Sequence, residues 1–187
     1  MEIEKTLYVT NRKQWRSWLV KNHNKEKDIW LIYYRKSSGK KRIPYNDAVE
    51  EALCYGWIDS IVKKIDEQKF AQRFSPRRQN SVLSQLNKER IHRLIEKKKM
   101  TVKGLNAVKH VFDDSSKYSK CIIKNDILRL LKEDKTIWEN FQKFSESYKR
   151  IRIEWIEGAR TRPELFKKRL EYFLKMTVKN KKYGMVQ

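Results

Sequence analysis

The run DIWLIYYR, Asp28 to Arg35, is apolar at odd and even positions alike. A strand with one solvated face alternates apolar with polar residues; this run does not. Its composition therefore predicts a strand inside a sheet, covered on both faces and flanked on both edges. The rest of the chain has to supply those neighbours.

Three short segments can do so. TLYVT, 6–10, reads as a strand. WIDSIVKKID and KFAQRFS, starting at Trp57 and Lys69, read as a hairpin turning near Glu67 and Gln68. Alternation along the second arm puts Phe70, Gln72 and Phe74 on one face, with Ala71 and Arg73 on the other. In the first arm Trp57 and Asp59 share a face.

Helical signals lie between and after these strands. Asn11, with Gln14 as its capping-box partner, opens a helix carrying Trp15, Trp18 and Leu19 on one face. Pro44 precedes a second helix, acidic in its first turns at Asp47, Glu50 and Glu51 and stopped at Gly56. A third helix spans SQLNKERIHRLIEKK. Thr101 caps a fourth, with Met100 and Leu105 placed for a hydrophobic staple and Val108 and Phe112 continuing its apolar face. Beyond DDSSKYSK only helical patterns remain. Ser147 is the expected cap of the helix through SYKRIRIEWIEGA. A capping box from Thr161 to Glu164, with Pro163 in the first turn, is expected to open the last helix. Strands with helices followed by helices alone predict an α+β chain: an α+β domain over 1–112, a linker over 113–124 and a helical C-terminal domain over 125–187.

Charge is the loudest property of the 187 residues, with 45 Lys and Arg against 23 Asp and Glu, a net +22. A lysine-rich composition does not by itself produce that imbalance. The excess is also uneven. Residues 60–110 hold fourteen basic and four acidic side chains, and residues 149–187 hold twelve and four. Such faces attract phosphates, nucleic acids and acidic surfaces. Two cysteines without ligand spacing and three scattered histidines predict neither a metal site nor a disulfide framework, and no cofactor motif is present. No run approaches the length of a membrane span and the N-terminus has no leader-like core, so the expected setting is the cytoplasm, without membrane insertion.

The stretch AQRFSPRRQNS, 71–81, is the strongest candidate site. Pro76 ends the strand. Arg73, Arg77 and Arg78 supply guanidinium forks, while Ser81, Ser84 and Asn87 lead into a helix N-terminus. Together with Trp57 and Asp59 on the neighbouring strand, these residues suit a phosphate or carboxylate. The plainer alternative is that the arginines pair with Asp59, Asp66 or the acidic helix at 47–51. Cys54, at a helix C-terminus, reads as a small buried hydrophobe.

With EALCYGWIDS, RFSPRR and SYKR…EWI in view, the chain resembles the YdeI/OmpD-associated family, whose members are also labelled bacteriocin-protection proteins. The resemblance extends to Tyr8, Trp15 and Trp18, to HNKEKDIWLIYYRK, to the Arg73–Asn87 block and to the C-terminal helices. Leu83 stands where the family usually has tryptophan. Leu165 and Phe166 follow Pro163 and Glu164 where Thr-Arg is common, and Arg169 matches the arginine after them. The resemblance implies a soluble bacterial protein associated with protection against bacteriocins and cationic peptides, and carries no catalytic residues or cofactor.

Three readings follow. The first is a non-enzymatic cytoplasmic stress or resistance protein, binding an anionic small molecule or an acidic protein surface around Arg73, Arg77 and Arg78. A chain this basic repels a cationic peptide, so any protection would be indirect. The second is nucleic-acid binding through 60–110 and 149–187. The third is an enzyme using Asp59 with the arginines on a phosphorylated or carboxylated substrate.

Overall fold

The computed structural model describes residues 2–79, 81–110, 112 and 120–185. The architecture is α+β, with a four-stranded mixed sheet and eight α-helices among the described residues. The strands are β1 (Thr6–Leu7), β2 (Ile29–Tyr34), β3 (Trp57–Lys64) and β4 (Lys69–Pro76), in the order β1-β2-β4-β3. β1 runs parallel to β2, and both β2 and β3 pair antiparallel with β4. The doubly apolar run is therefore an interior strand, as its composition requires.

The helices are α1 (Arg12–Asn22), α2 (Tyr45–Cys54), α3 (Gln85–Glu96), α4 (Val102–Val108), α5 (Asn125–Glu133), α6 (Lys135–Lys143), α7 (Glu146–Glu157) and α8 (Pro163–Val178). They fall into two compact units. The first takes the residues up to Leu83 and resumes at Arg90. The second takes Ser84–Glu89 and the chain from 120 onward. Most of the expected linker, 113–119, lies outside the described residues, as does Asn80.

In the first unit one sheet face carries Ile29, Leu31, Tyr33, Trp57 and Phe74. They share a core with Trp15 and Leu19 of α1, Val49, Ala52 and Leu53 of α2, and Ile91 and Leu94 of α3. Full burial of each large apolar side chain contributes about 1.5–3 kcal/mol. Trp15 also needs a polar partner, and its indole N–H donates to the Ala48 carbonyl at 3.0 Å. A bulge between Asp59 and Val62 inserts an extra residue in β3, so that Val62 pairs with Gln72. Simple alternation does not foresee that phase change.

Gly56, at φ +74, lets the chain leave α2 and enter β3. Thr101 caps α4 by accepting from the Gly104 N–H. Its own N–H and Oγ both donate to the Cys54 carbonyl, at 3.0 and 2.6 Å. A Cβ at Gly104 would collide with that same carbonyl, so only glycine permits the approach.

Four local expectations are corrected. Gln14 Oε1 accepts from Thr10 N–H, not from Asn11, although Asn11 does cap α1. Leu105 is 39% exposed, so it does not continue the buried face of α4 with Val108. Ser145 caps α7 by accepting from Tyr148 N–H, and Ser147 lies inside the helix. At α8 the cap position is Arg162, with no side-chain hydrogen bond. Pro163 fixes the first turn, so the Thr161–Glu164 box does not form.

The second unit buries Ile127 and Leu131 of α5, Ile137 and Phe141 of α6, Tyr148, Ile153 and Ile156 of α7, and Leu170 and Phe173 of α8. No helix among the described residues is long and apolar enough to cross a membrane.

Candidate functional site

The hairpin sends its candidate residues in different directions. Trp57 is a core residue: it is 1% exposed, packs edge-on to Trp18 at 5.7 Å and donates its indole N–H to the His23 carbonyl at 3.1 Å. Asp59 lies on the same face. Its Oδ2 accepts from the Tyr45 hydroxyl at 2.7 Å and from Gln72 Nε2 at 2.9 Å. Arg73 alternates to the opposite face and forms an ion pair with Asp28, Nη2 to Oδ2 at 2.6 Å.

The arginines therefore do not hold Asp59. Nor do they hold the acidic helix. Arg12 pairs with Asp47 at 2.9 Å, with Glu51 at 3.1 Å and with Glu50; Arg16 reaches Glu51 at 2.8 Å; Arg93 reaches Glu50 at 3.4 Å. Burial by itself would lower the Arg12 guanidinium, but hydrogen bonds to Asp47 and Glu50 reverse this and raise it.

Past Pro76 the chain forms a small loop. Arg77 N–H donates to the Gly56 carbonyl at 2.9 Å, and its Nη2 donates to the Ser81 carbonyl at 2.5 Å. Ser81 folds back, with its hydroxyl donating to the Arg78 carbonyl at 2.7 Å. Arg77 is half-buried, and its Nε has no hydrogen-bond partner. Burial alone lowers its guanidinium. Arg78 is exposed. Among the described residues no carboxylate pairs with either arginine.

Ser84 and Asn87 belong to the second unit. There Ser84 Oγ accepts from Asn87 N–H at 3.4 Å and caps α3. The loop thus brings together Arg77, Arg78 and Ser81. Trp57 and Asp59 line the core, Arg73 faces away from them, and Ser84 and Asn87 serve a helix end.

The thiols are poor nucleophiles. Burial pushes both Cys54 and Cys121 up to about 11. No cluster among the described residues holds three or more metal-ligating side chains.

One polar cluster escaped the sequence reading. Tyr148, Arg152 and Trp155 follow one another at i, i+4 and i+7 on α7, with Arg169 opposite on α8. The helical spacing was a readable signal; what the arginines meet was not.

No curated protein and no solved structure is significantly similar to the chain. Residues 120–180 match the family described as bacteriocin-protection, YdeI or OmpD-associated. The resemblance read through most of the sequence is therefore supported over the C-terminal helices, including SYKR…EWI. EALCYGWIDS and the Arg73–Asn87 block lie in a region matched by a different model. That model, described as a domain of unknown function (DUF8412), covers residues 7–107, more than half of the sequence, and the chain belongs to its family.

Proposed function

We propose that this chain is a non-enzymatic cytoplasmic stress or resistance protein that binds an anionic ligand or an acidic partner surface through the loop after β4. The observation that carries this reading is the state of Arg77: partly desolvated, its Nε without a partner and no carboxylate paired with it. Exposed Arg78 adds a second fork beside it. A guanidinium in that condition gains more from an anion than a solvated lysine does. Asp59 already holds Tyr45 and Gln72, which favours binding over a reaction that needs Asp59 as a base.

The test is a thermal-shift series with sulfate, phosphate and nucleotides on the wild type and on Arg77→Ala. Mass-action stabilisation of the wild type by phosphate, reduced in the variant, is expected. Equal shifts in both proteins would overturn the assignment. So would saturable binding of duplex or single-stranded nucleic acid that falls steeply with salt and ignores Arg77→Ala. That pattern belongs to the broad basic segments.

A further inference from the structure

The second unit contains a cationic cleft built differently from the loop after β4. Along α7 the spacing of Tyr148, Arg152 and Trp155 sets them on one helix face. Arg152 is only 6% exposed. Its guanidinium carbon lies 4.6 Å from the Tyr183 ring centre, 5.5 Å from Tyr148 and 5.7 Å from Trp155. Gly184, at φ +78, closes over it: a Cβ there would come within 2.8 Å of Nη2. Three rings surround this cation, yet no carboxylate among the described residues pairs with it and its Nε has no hydrogen-bond partner.

α8 brings a second guanidinium to the same indole. Arg169 lies 4.6 Å from the Trp155 ring centre and donates Nη1 to the Trp155 carbonyl at 2.5 Å. Its Nε is also buried and unpartnered. Arg152, Trp155 and Arg169 line a cleft of 290 Å³, with Leu86, Ile151 and Gly158 and the polar Ser84 and Gln85 at the start of α3. One acid, Glu154, borders it, and its Oε1 is committed to the Gln85 N–H at 3.1 Å. The cleft thus has two cations and a largely apolar wall, and the unpartnered Nε–H of each arginine is buried behind its surface. Ring faces offset part of the cost of burying a guanidinium, but they do not supply hydrogen-bond acceptors.

We propose that this cleft binds a small organic anion. Its carboxylate or phosphate sits on Arg152 and Arg169, and its flat apolar body lies against Trp155. The volume admits a single-ring molecule. Its lining includes neither Arg77 nor Arg78.

The experiment is calorimetric titration of the full chain with benzoate, phenyl phosphate and inorganic phosphate. At least one aromatic anion should bind saturably and about tenfold or more tighter than inorganic phosphate. Arg152→Met and Arg169→Gln should each weaken it about tenfold, while Arg77→Ala leaves it unchanged. Absence of saturable binding by both aromatic anions overturns the proposal. Equal affinity for inorganic phosphate does so as well, as does wild-type affinity in folded Arg169→Gln. That last variant sits at a half-buried position and decides the matter if Arg152→Met does not fold. Loss of binding in Arg77→Ala alone would transfer the anion to the other site.

Discussion

Two groups of half-buried or buried arginines, one in each unit, meet opposite partners. In the first, Arg12 and Arg16 reach across to Asp47, Glu50 and Glu51, and Arg73 takes Asp28. In the second, Arg152 and Arg169 lie against aromatic rings, with no carboxylate among the described residues. The first arrangement is closed: each of these three charges has its complement inside the fold. The second is electrostatically open, because a ring face attracts a cation without neutralising it. A positively charged chain has few acids to distribute, and here α2 receives three of them.

That contrast can be broken by replacing each arginine with methionine, which keeps much of its length and drops its charge. Arg12→Met removes one cationic partner from each of buried Glu50 and Glu51. A loss of about 3 kcal/mol in urea denaturation is expected. An unchanged midpoint would mean that Arg16 and Arg93 suffice to hold the acids.

A smaller effect tests a buried ion pair of the second unit, which also pairs Arg160 with Asp126 and Glu157 nearer the surface. Arg150 holds Glu89 at 2.6 Å, and Glu89 is 5% exposed. Burial pushes the Glu89 carboxyl up, but hydrogen bonds from Arg150 and Gln85 win and set it below its ordinary value. A depressed carboxylate stabilises the fold above its unfolded pKa of about 4.3, and that contribution disappears as pH falls through the folded value. Glu89→Gln should therefore cost about 2 kcal/mol at pH 7. Its melting temperature should converge on the wild type's in acid. Parallel curves would show that the pair contributes no pH-dependent stability.

The smallest change is expected at Arg152→Met. With no acid to strand and three rings to pack on, the loss should stay within about 1 kcal/mol by the same denaturation assay. A loss as large as that of Arg12→Met would erase the distinction between the two units.

Much of the sheet was legible because its rules are local. A doubly apolar run must be interior, a hairpin needs only its turn, and Gly56 marks the exit from α2. The β3 bulge was not legible, since period-two reading assumes that the period never breaks. The site was less readable still. The sequence groups Arg73 with Asp59 in one candidate site; the pairing of β3 with β4 sets them on opposite faces, and nothing local names Asp28, 45 residues away, as the partner of Arg73. Likewise, Tyr148 and Trp155 announce an aromatic face on α7, while Tyr183 joins it only through the fold.

The carbonyl of Cys54, gripped twice by Thr101, ties together two points with the hairpin, the Arg77–Ser81 loop and α3 strung between them. That span is a noncovalent lasso. A backbone break at exposed Arg78 would leave β4 paired on one side and α4 fastened to Cys54 on the other. The loop is accordingly the place to introduce new chain ends, by a protease nick or by circular permutation, with both halves still anchored.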